Sequence, residues 1–334
     1  MPPSKSPPAR LPLTLVEMGR RLDLDKSTVS LALRDSPKIT AKTRKRVQAF
    51  AARHDYRPNL AARHLTGTSL KLVGIVLPDT LSSLTSPVAV RSISILATLV
   101  TQAGMLFHLM PSSGVLAPDS SLPLLPDVAV IWGDAPLTVV QALSRRSRPT
   151  VVLDPNHSSY GGYDGPALRI ANRQGAQAMA RHLITAGARR LLFIQERDDH
   201  LGHAERWQGA QTAWKQEDDP QFIERCLLAD LDDHRLSAFA QVRRGAILCS
   251  NDHVAIHVWH RLLRLGFTIP QDVSLAGFDG DEYGSLIRLT TAVFDVDSFA
   301  RTAFTVVQEL LVGKSRSRLL NNPIPLTLRA GETG

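Results

Sequence analysis

The stretch DKSTVSLALRDSP, residues 25–37, places Lys26, Ser27, Thr28 and Ser30 within five positions. Short hydroxyls and an ammonium at the start of a helix can hydrogen-bond base edges or phosphate oxygens. Leu31 and Arg34 complete the same outer face. An apolar Leu31 at an exposed position suits contact with a thymine methyl. A second group, KTRKR at 42–46, brings Lys42, Thr43 and Arg44 to the start of a helix, where they suit backbone phosphates.

These groups need elements to hold them. Thr14-Leu15-Val16-Glu17 reads as a capping box, with the Thr14 hydroxyl on the Glu17 N–H and the Glu17 carboxylate reaching back. Met18 and Leu22 continue the apolar face. Asp25 caps a second helix and Thr40 a third, which runs to about Tyr56 before Arg57-Pro58 breaks it. Only about three residues, Leu22 to Leu24, join the first two helices, which is helix-turn-helix spacing. Met18, Leu22, Leu24, Val29, Ala32 and Leu33 then pack together. The N-terminal end of the second helix is left to enter a major groove, and Thr14 and Leu15 open the first helix, whose free N–H groups can hold a phosphate. Asn59 can cap one more short helix ending at Gly67.

Charge placement agrees. Residues 1–70 carry 14 Lys and Arg against 5 Asp and Glu, an excess of +9, whereas the remaining 264 carry 25 against 26. A small basic domain on a near-neutral large one points to double-stranded DNA as a partner. From residue 71 apolar strand-like runs recur at 71–78, 105–110, 127–132, 150–154, 190–195, 246–250, 273–279 and 291–294. Helical patterns at 171–187 and 252–266 lie between them. Continuously apolar strands alternating with helices predict parallel sheets, and eight of them predict two sheets with a cleft between.

The segment TLVEMGRRLDLDKSTVSLALRDSPKITAKTRKRVQAFAARHDYRPNLAARHL resembles the head of the lactose-repressor/galactose-repressor (LacI/GalR) family. The matching features are the T-L start, S-T-V-S, I-T-x-x-T-R-x-R-V and Y-x-P-N-x-x-A-R-x-L. The resemblance implies a hinge helix beginning at Asn59, with Leu65 of each of two subunits wedged into the minor groove and Ala62 beside it. It continues more loosely over 71–334, through PTVVLD, ERWQGA, SNDHVAI, GFDG and LTTAVF, and implies a periplasmic-binding-protein-like α/β core around a small effector, a sugar by default. By motif the cleft would hold Arg206, Asn251, Asp252, Asp279 and Phe294. Arg206 offers a donor fork for hydroxyls or an anion. Asn251 and Asp252 could equally cap the helix that follows them.

The organisation expected is therefore a disordered basic arm (1–10), an all-α helix-turn-helix domain (11–57), a hinge and linker (58–70), and an effector-binding and dimerisation core (71–334). Within the core, an N-subdomain takes about 71–167 plus 294–320 and a C-subdomain about 168–293 plus 321–334. The function implied is a homodimeric transcriptional repressor on a palindromic operator. The sequence departs from the family pattern at LDLD before the second helix, at Leu31, at Ala171, and in a short, Pro-rich stretch after MLFHLM.

Other chemistry finds little support. HLGH (200–203), beside Asp198 and Asp199, reads as a solvated polar loop rather than a metal cluster, and GGYDG (161–165) as a turn. Phosphate-loop, serine-hydrolase and zinc-protease motifs are missing, so the expectation is no enzyme, no metal and no cofactor. Cys226 and Cys249 form no disulfide framework. With no apolar leader or membrane span in view, the expected place is the cytoplasm, on the nucleoid when operator-bound. A free binding protein or enzyme built on the α/β core is the alternative reading.

Overall fold

A computed structural model describes residues 13–33, 35–54, 56, 71–79, 86–118, 125–216, 222–314, 320 and 322–334. The chain divides into two compact units, Met1–Leu70 and Lys71–Gly334. Within the first, the described residues form α1 (Leu15–Leu22), α2 (Lys26–Leu33) and α3 (Ala41–Arg53). Met18, Leu22, Val29, Ala32, Val47 and Ala51 make its small core. The turn between α1 and α2 is tight. Asp23 is left-handed at φ 54°, and Leu24 N–H donates to the Gly19 carbonyl at 2.9 Å. A Cβ on Gly19 would lie 2.5 Å from the Leu24 oxygen, so only glycine lets the chain turn this closely.

The capping box is half formed. Thr14 Oγ1 accepts from Glu17 N–H at 3.1 Å, but the Glu17 carboxylate accepts from Arg20 and Arg21 instead of reaching back. Two guanidiniums one turn ahead outcompete a single backbone N–H. Their pairing lowers the Glu17 carboxyl to about 2.

The second unit holds two sheets. The first runs in the order β2-β1-β3-β4-β5: β1 (Leu72–Leu77), β2 (Leu106–Pro111), β3 (Val128–Trp132), β4 (Thr150–Leu153) and β5 (Ala167–Leu168), all parallel. α4 (Pro87–Gln102), the one-turn α5 (Ser112–Leu116) and α6 (Leu137–Arg145) connect it. The chain then crosses into α7 (Asn172–Thr185), β6 (Arg190–Gln195), α8 (Leu201–Trp214), β7 (Phe222–Leu227), α9 (Asp233–Ala240), β8 (Gly245–Cys249), α10 (Asp252–Arg264), β9 (Val273–Asp279), α11 (Glu282–Leu286) and β10 (Thr290–Phe294). It crosses back for α12 (Val296–Leu311), which packs on the first sheet with Phe299, Ala303 and Val307, and returns for β11 (Leu326–Arg329). The second sheet is ordered β11-β10-β9-β8-β6-β7, and β11 pairs antiparallel where its described neighbours are parallel.

Strands β1, β3, β4 and β8 are buried along their whole length, as continuously apolar runs require. β7 is absent from the strands that the sequence predicts. It is a polar edge strand, FIERCL, largely half-buried or exposed. Parallel edge pairing takes few apolar contacts and leaves little periodic signal.

One close approach shapes the strand ends. At Gly133, just past β3, an added Cβ would lie 1.6 Å from the Asp154 carbonyl oxygen at the end of β4. That neighbour is backbone and cannot swing aside. Gly133→Ala should therefore destabilise the core by roughly 1–3 kcal/mol through overpacking, read as a lower urea midpoint with unchanged slope.

Candidate nucleic-acid interface and ligand cleft

On the head, α2 buries Val29 and Ala32 and turns its first residues outward. Lys26 and Ser27 are exposed, and Thr28, Ser30 and Leu31 are half-exposed. Thr14 and Lys42 are exposed as well. Two expected contacts are otherwise engaged. Leu15 is half-buried and packs against the small core. Arg44 donates to Asp35 Oδ1 at 2.9 Å and to the Ile39 carbonyl at 3.2 Å, so it braces the loop before α3. Arg46 likewise donates to the Leu22 carbonyl. Thr43 shares a hydrogen bond with the Thr40 hydroxyl, and Thr40 Oγ1 caps α3 through Thr43 N–H. Of the basic start to α3, Lys42 and Lys45 face solvent. Arg34, Asn59, Ala62 and Leu65 lie outside the described residues.

In the core, the carboxyl ends of β3, β4, β6, β8, β9 and β10 converge on one cleft of about 170 Å3, room for one small molecule. Open α/β sheets bind ligands at these ends. Arg206, Asn251, Asp279 and Phe294 all line it. Arg206, on α8, is 6% exposed and heavily committed. Its Nε donates to Asn172 Oδ1 at 2.8 Å, Nη1 to the Ser250 carbonyl, and Nη2 to Asp279 Oδ1 at 3.3 Å. Its guanidinium carbon stands 4.6 Å from the Phe278 ring centroid. Burial raises the Asp279 carboxyl, and the Arg206 charge opposes the rise. Asp279 has φ 104° and Asp154 has φ 50°. Backbone strain at two strand ends facing one cleft is typical of functional sites.

Asn251 does two things: its Oδ1 caps α10 through Val254 N–H at 2.8 Å, and it lines the cleft. Asp252 departs from the expectation. It is 0% exposed and does not line the cleft. Its carboxyl group accepts from the Thr291 hydroxyl at 2.7 Å and from Asp281 N–H at 2.9 Å, clamping α10 to the end of β9 and the start of β10. A side chain at the first position of a buried helix folds back under its own turn. Burial, and then the Asp279 charge, push the Asp252 carboxyl up to about 8.

Trp132 and Asp154 end strands at the cleft that the sequence predicts, whereas the lining histidines are missed. Sequence reasoning places His200 and His203 in a solvated loop; in the structure they begin α8, and His203 is 4% exposed. The two imidazoles stack with centroids 3.9 Å apart. Burial holds His200 well below its ordinary value and His203 down at about 3, so both are neutral. They are buried because the second sheet's side of the cleft touches the first sheet's side here. His157 and His200 form a β-bridge, Leu201 N–H donates to the Asn156 carbonyl at 2.7 Å, and Asp134 lies 3.8 Å from both Arg197 and His200. Asp154 accepts from the Asn156 amide at 2.7 Å, and burial raises its carboxyl to about 7. Trp132 adds an aromatic wall. Among the described residues no group of three or more His, Cys, Asp or Glu could hold a metal ion, and no helix is long and apolar enough to cross a membrane.

A helix-turn-helix head on a two-sheet core with its cleft at the strand ends defines a class: DNA-binding transcriptional regulators with a periplasmic-binding-protein-like core. Comparison with known proteins identifies both domains. Residues 24–59 match the model for bacterial regulatory proteins of the lacI family, and residues 180–333 match the periplasmic binding protein-like domain. Catabolite control protein A of Priestia megaterium is 23% identical over 313 residues, 88% of this chain and 92% of that protein. The sucrose operon repressor of Shigella flexneri is 25% identical over 338 residues, 95% and 98% of the two chains. The lac repressor dimer bound to operator and the anti-inducer ONPF superposes with a TM-score of 0.76 at 20% identity, covering 97% of this chain and 99% of that one. The complex of the transcriptional regulator CelR with cellobiose gives 0.62 at 18% identity, covering 96% and 99%. The chain carries a LacI-family DNA-binding domain and a periplasmic-binding-protein-like domain. It is a DNA-binding regulator, and the relatives it matches are regulators rather than enzymes.

The Asp252 carboxyl makes a checkable statement about pH. Its folded value, about 8, lies above the ordinary 3.8. Between those limits the folded chain holds a proton that the unfolded chain does not, so this contribution to stability falls as pH rises and levels off above 8. Asp252→Asn should remove on the order of 2 kcal/mol of stability loss between pH 6 and 8. Urea melts of both proteins at the two pH values check it.

Proposed function

We propose that the protein is a homodimeric, sequence-specific repressor that binds a palindromic operator and is modulated by a small effector in the core cleft. The observation that carries the reading is the outward first turn of α2, with Lys26 and Ser27 exposed above a fully packed Val29 and Ala32. That arrangement serves a groove and little else. Lys26, Ser27, Thr28, Ser30 and Leu31 read bases, Thr14 and Lys42 hold phosphates, and Thr43 and Arg44 keep α3 in place. Asn59, Ala62 and Leu65 form the hinge, with Leu65 as the minor-groove wedge. Two heads related by a two-fold axis match two half-sites. The names of the relatives support repression, and the sugar in the CelR complex supports a sugar or related metabolite as effector. Such a protein works in the cytoplasm, at the nucleoid when bound.

The cleft supplies the control. Arg206, Asp279 and Asn251 face the effector from one side of it, Trp132, Asp154 and Asn156 from the other, and Phe294 packs with Trp132 against the first sheet's core. An effector acts only if it binds the DNA-competent and incompetent closures with different affinity. Contacts such as Leu201 N–H to Asn156 are the ones such a movement would make or break.

Two substitutions test the head. Lys42→Ala removes one phosphate contact. It should weaken binding evenly across DNA sequences and reduce the slope of log affinity against log salt by about one unit. Leu31→Ala should change sequence preference, with little effect on that slope. Indistinguishable effects in a binding titration on randomised duplexes would overturn the groove assignment.

A further inference from the structure

The charge balance of the cleft narrows what enters it. Among the described residues five carboxylates line the cleft, Asp134, Asp154, Glu196, Asp279 and Asp281, against two guanidiniums, Arg197 and Arg206. Both guanidiniums are already paired. Arg197 makes a two-pronged contact with Asp199 at 2.9 and 3.0 Å, and Arg206 is held by Asp279, Asn172 and the Ser250 carbonyl. Of the three lining histidines, His200 and His203 add no charge, because burial keeps them neutral, and His253 is exposed at the cleft's edge. Little positive charge is therefore left to meet a phosphate or carboxylate, while an incoming anion would meet an excess of carboxylates in a partly dry site.

Asp154 is the centre of this excess. Burial acts most strongly against its ionisation, the Asn156 amide and the Arg206 charge oppose that, and the charges of Glu205 and Asp134 add to it. A desolvated carboxylate among like charges is stabilised by a cation. A second, independent feature points to an occupant. His203 lines the cleft at 4% exposure, and its Nδ1 has no hydrogen-bond partner among the described residues. Buried polar atoms of this kind are satisfied by water or ligand. Neutral imidazole, Asn156 and Asn251 can all bond hydroxyls, and Trp132 and Phe294 offer apolar ring surface.

We propose that the cleft takes a small polyhydroxylated amine, its ammonium set between Asp154 and Asp134 and its hydroxyls bonded by His203, Asn156 and Asn251. Phosphorylated and acidic counterparts are excluded by the excess of carboxylates. This rests on the cleft being the effector site.

The test uses the full-length chain and three probes at pH 7.5: glucosamine, glucose and glucose 6-phosphate. Calorimetric titration should show glucosamine binding at least tenfold more tightly than glucose, with glucose 6-phosphate weakest. Asp154→Asn should bring glucosamine and glucose to within about threefold of each other, and Asp134→Asn serves the same purpose if the first variant melts early. Equal affinity for glucosamine and glucose, tighter binding of glucose 6-phosphate, an undiminished preference in both variants, or no glucosamine binding would overturn the amine. Operator affinity measured beside each probe separates the two readings. If glucose or its phosphate shifts operator binding while glucosamine does not, the cleft stands as effector site and only the amine falls. If a probe binds the cleft and operator affinity never moves, the effector reading falls with it.

Discussion

The buried Arg206 side chain is the point on which the core's cleft depends. A single guanidinium on α8 joins the first residue of α7, the end of β8 and the end of β9, and lies over Phe278. Each of these groups would otherwise face a nearly dry cavity with an open hydrogen bond. An arginine fork satisfies all three at once, which lysine cannot. Its cost is desolvation of the charge, offset by Asp279 and by the ring face. Because the fork is largely spent on protein groups, it fixes the cleft floor and holds Asp279 at its edge.

Asp252 plays the matching part behind that floor. Its two oxygens hold Thr291 and the Asp281 N–H, so the end of β9, the start of β10 and the start of α10 move together. Gly277 is small for the same reason, since a Cβ there would lie 2.4 Å from Asp252 Oδ1. The second sheet meets the first through the His157–His200 bridge, the Leu201–Asn156 hydrogen bond and the Asp134 cluster, and through Phe294 and Leu326, which pack against the first sheet's core.

What the sequence reveals follows from locality. Thr14 and Thr40 cap helices through neighbours three residues on, so their helices are legible. Fully buried strands such as β1 and β3 announce themselves as unbroken apolar runs. Arg206, Asn251, Asp279 and Phe294 are found because family motifs mark them. The failures are tertiary. Nothing near His203 says that the chain from β4 will cover it, and a short polar stretch with two aspartates reads as solvent-facing. The edge strands β7 and β11 and the two-residue β5 owe their pairing to partners distant in sequence. Asp252 sits correctly in its motif but turns inward, which depends on Thr291 thirty-nine residues away.

The most direct measurement is selection of bound fragments from genomic DNA by the full chain and, in parallel, by residues 71–334, at about 150 mM salt, where non-specific phosphate binding is weakened. Enrichment of one palindromic site by the full chain alone is the predicted result. Equal enrichment by the core, or a full chain that enriches nothing with and without candidate effectors, would contradict a regulator that reads DNA through its helix-turn-helix head.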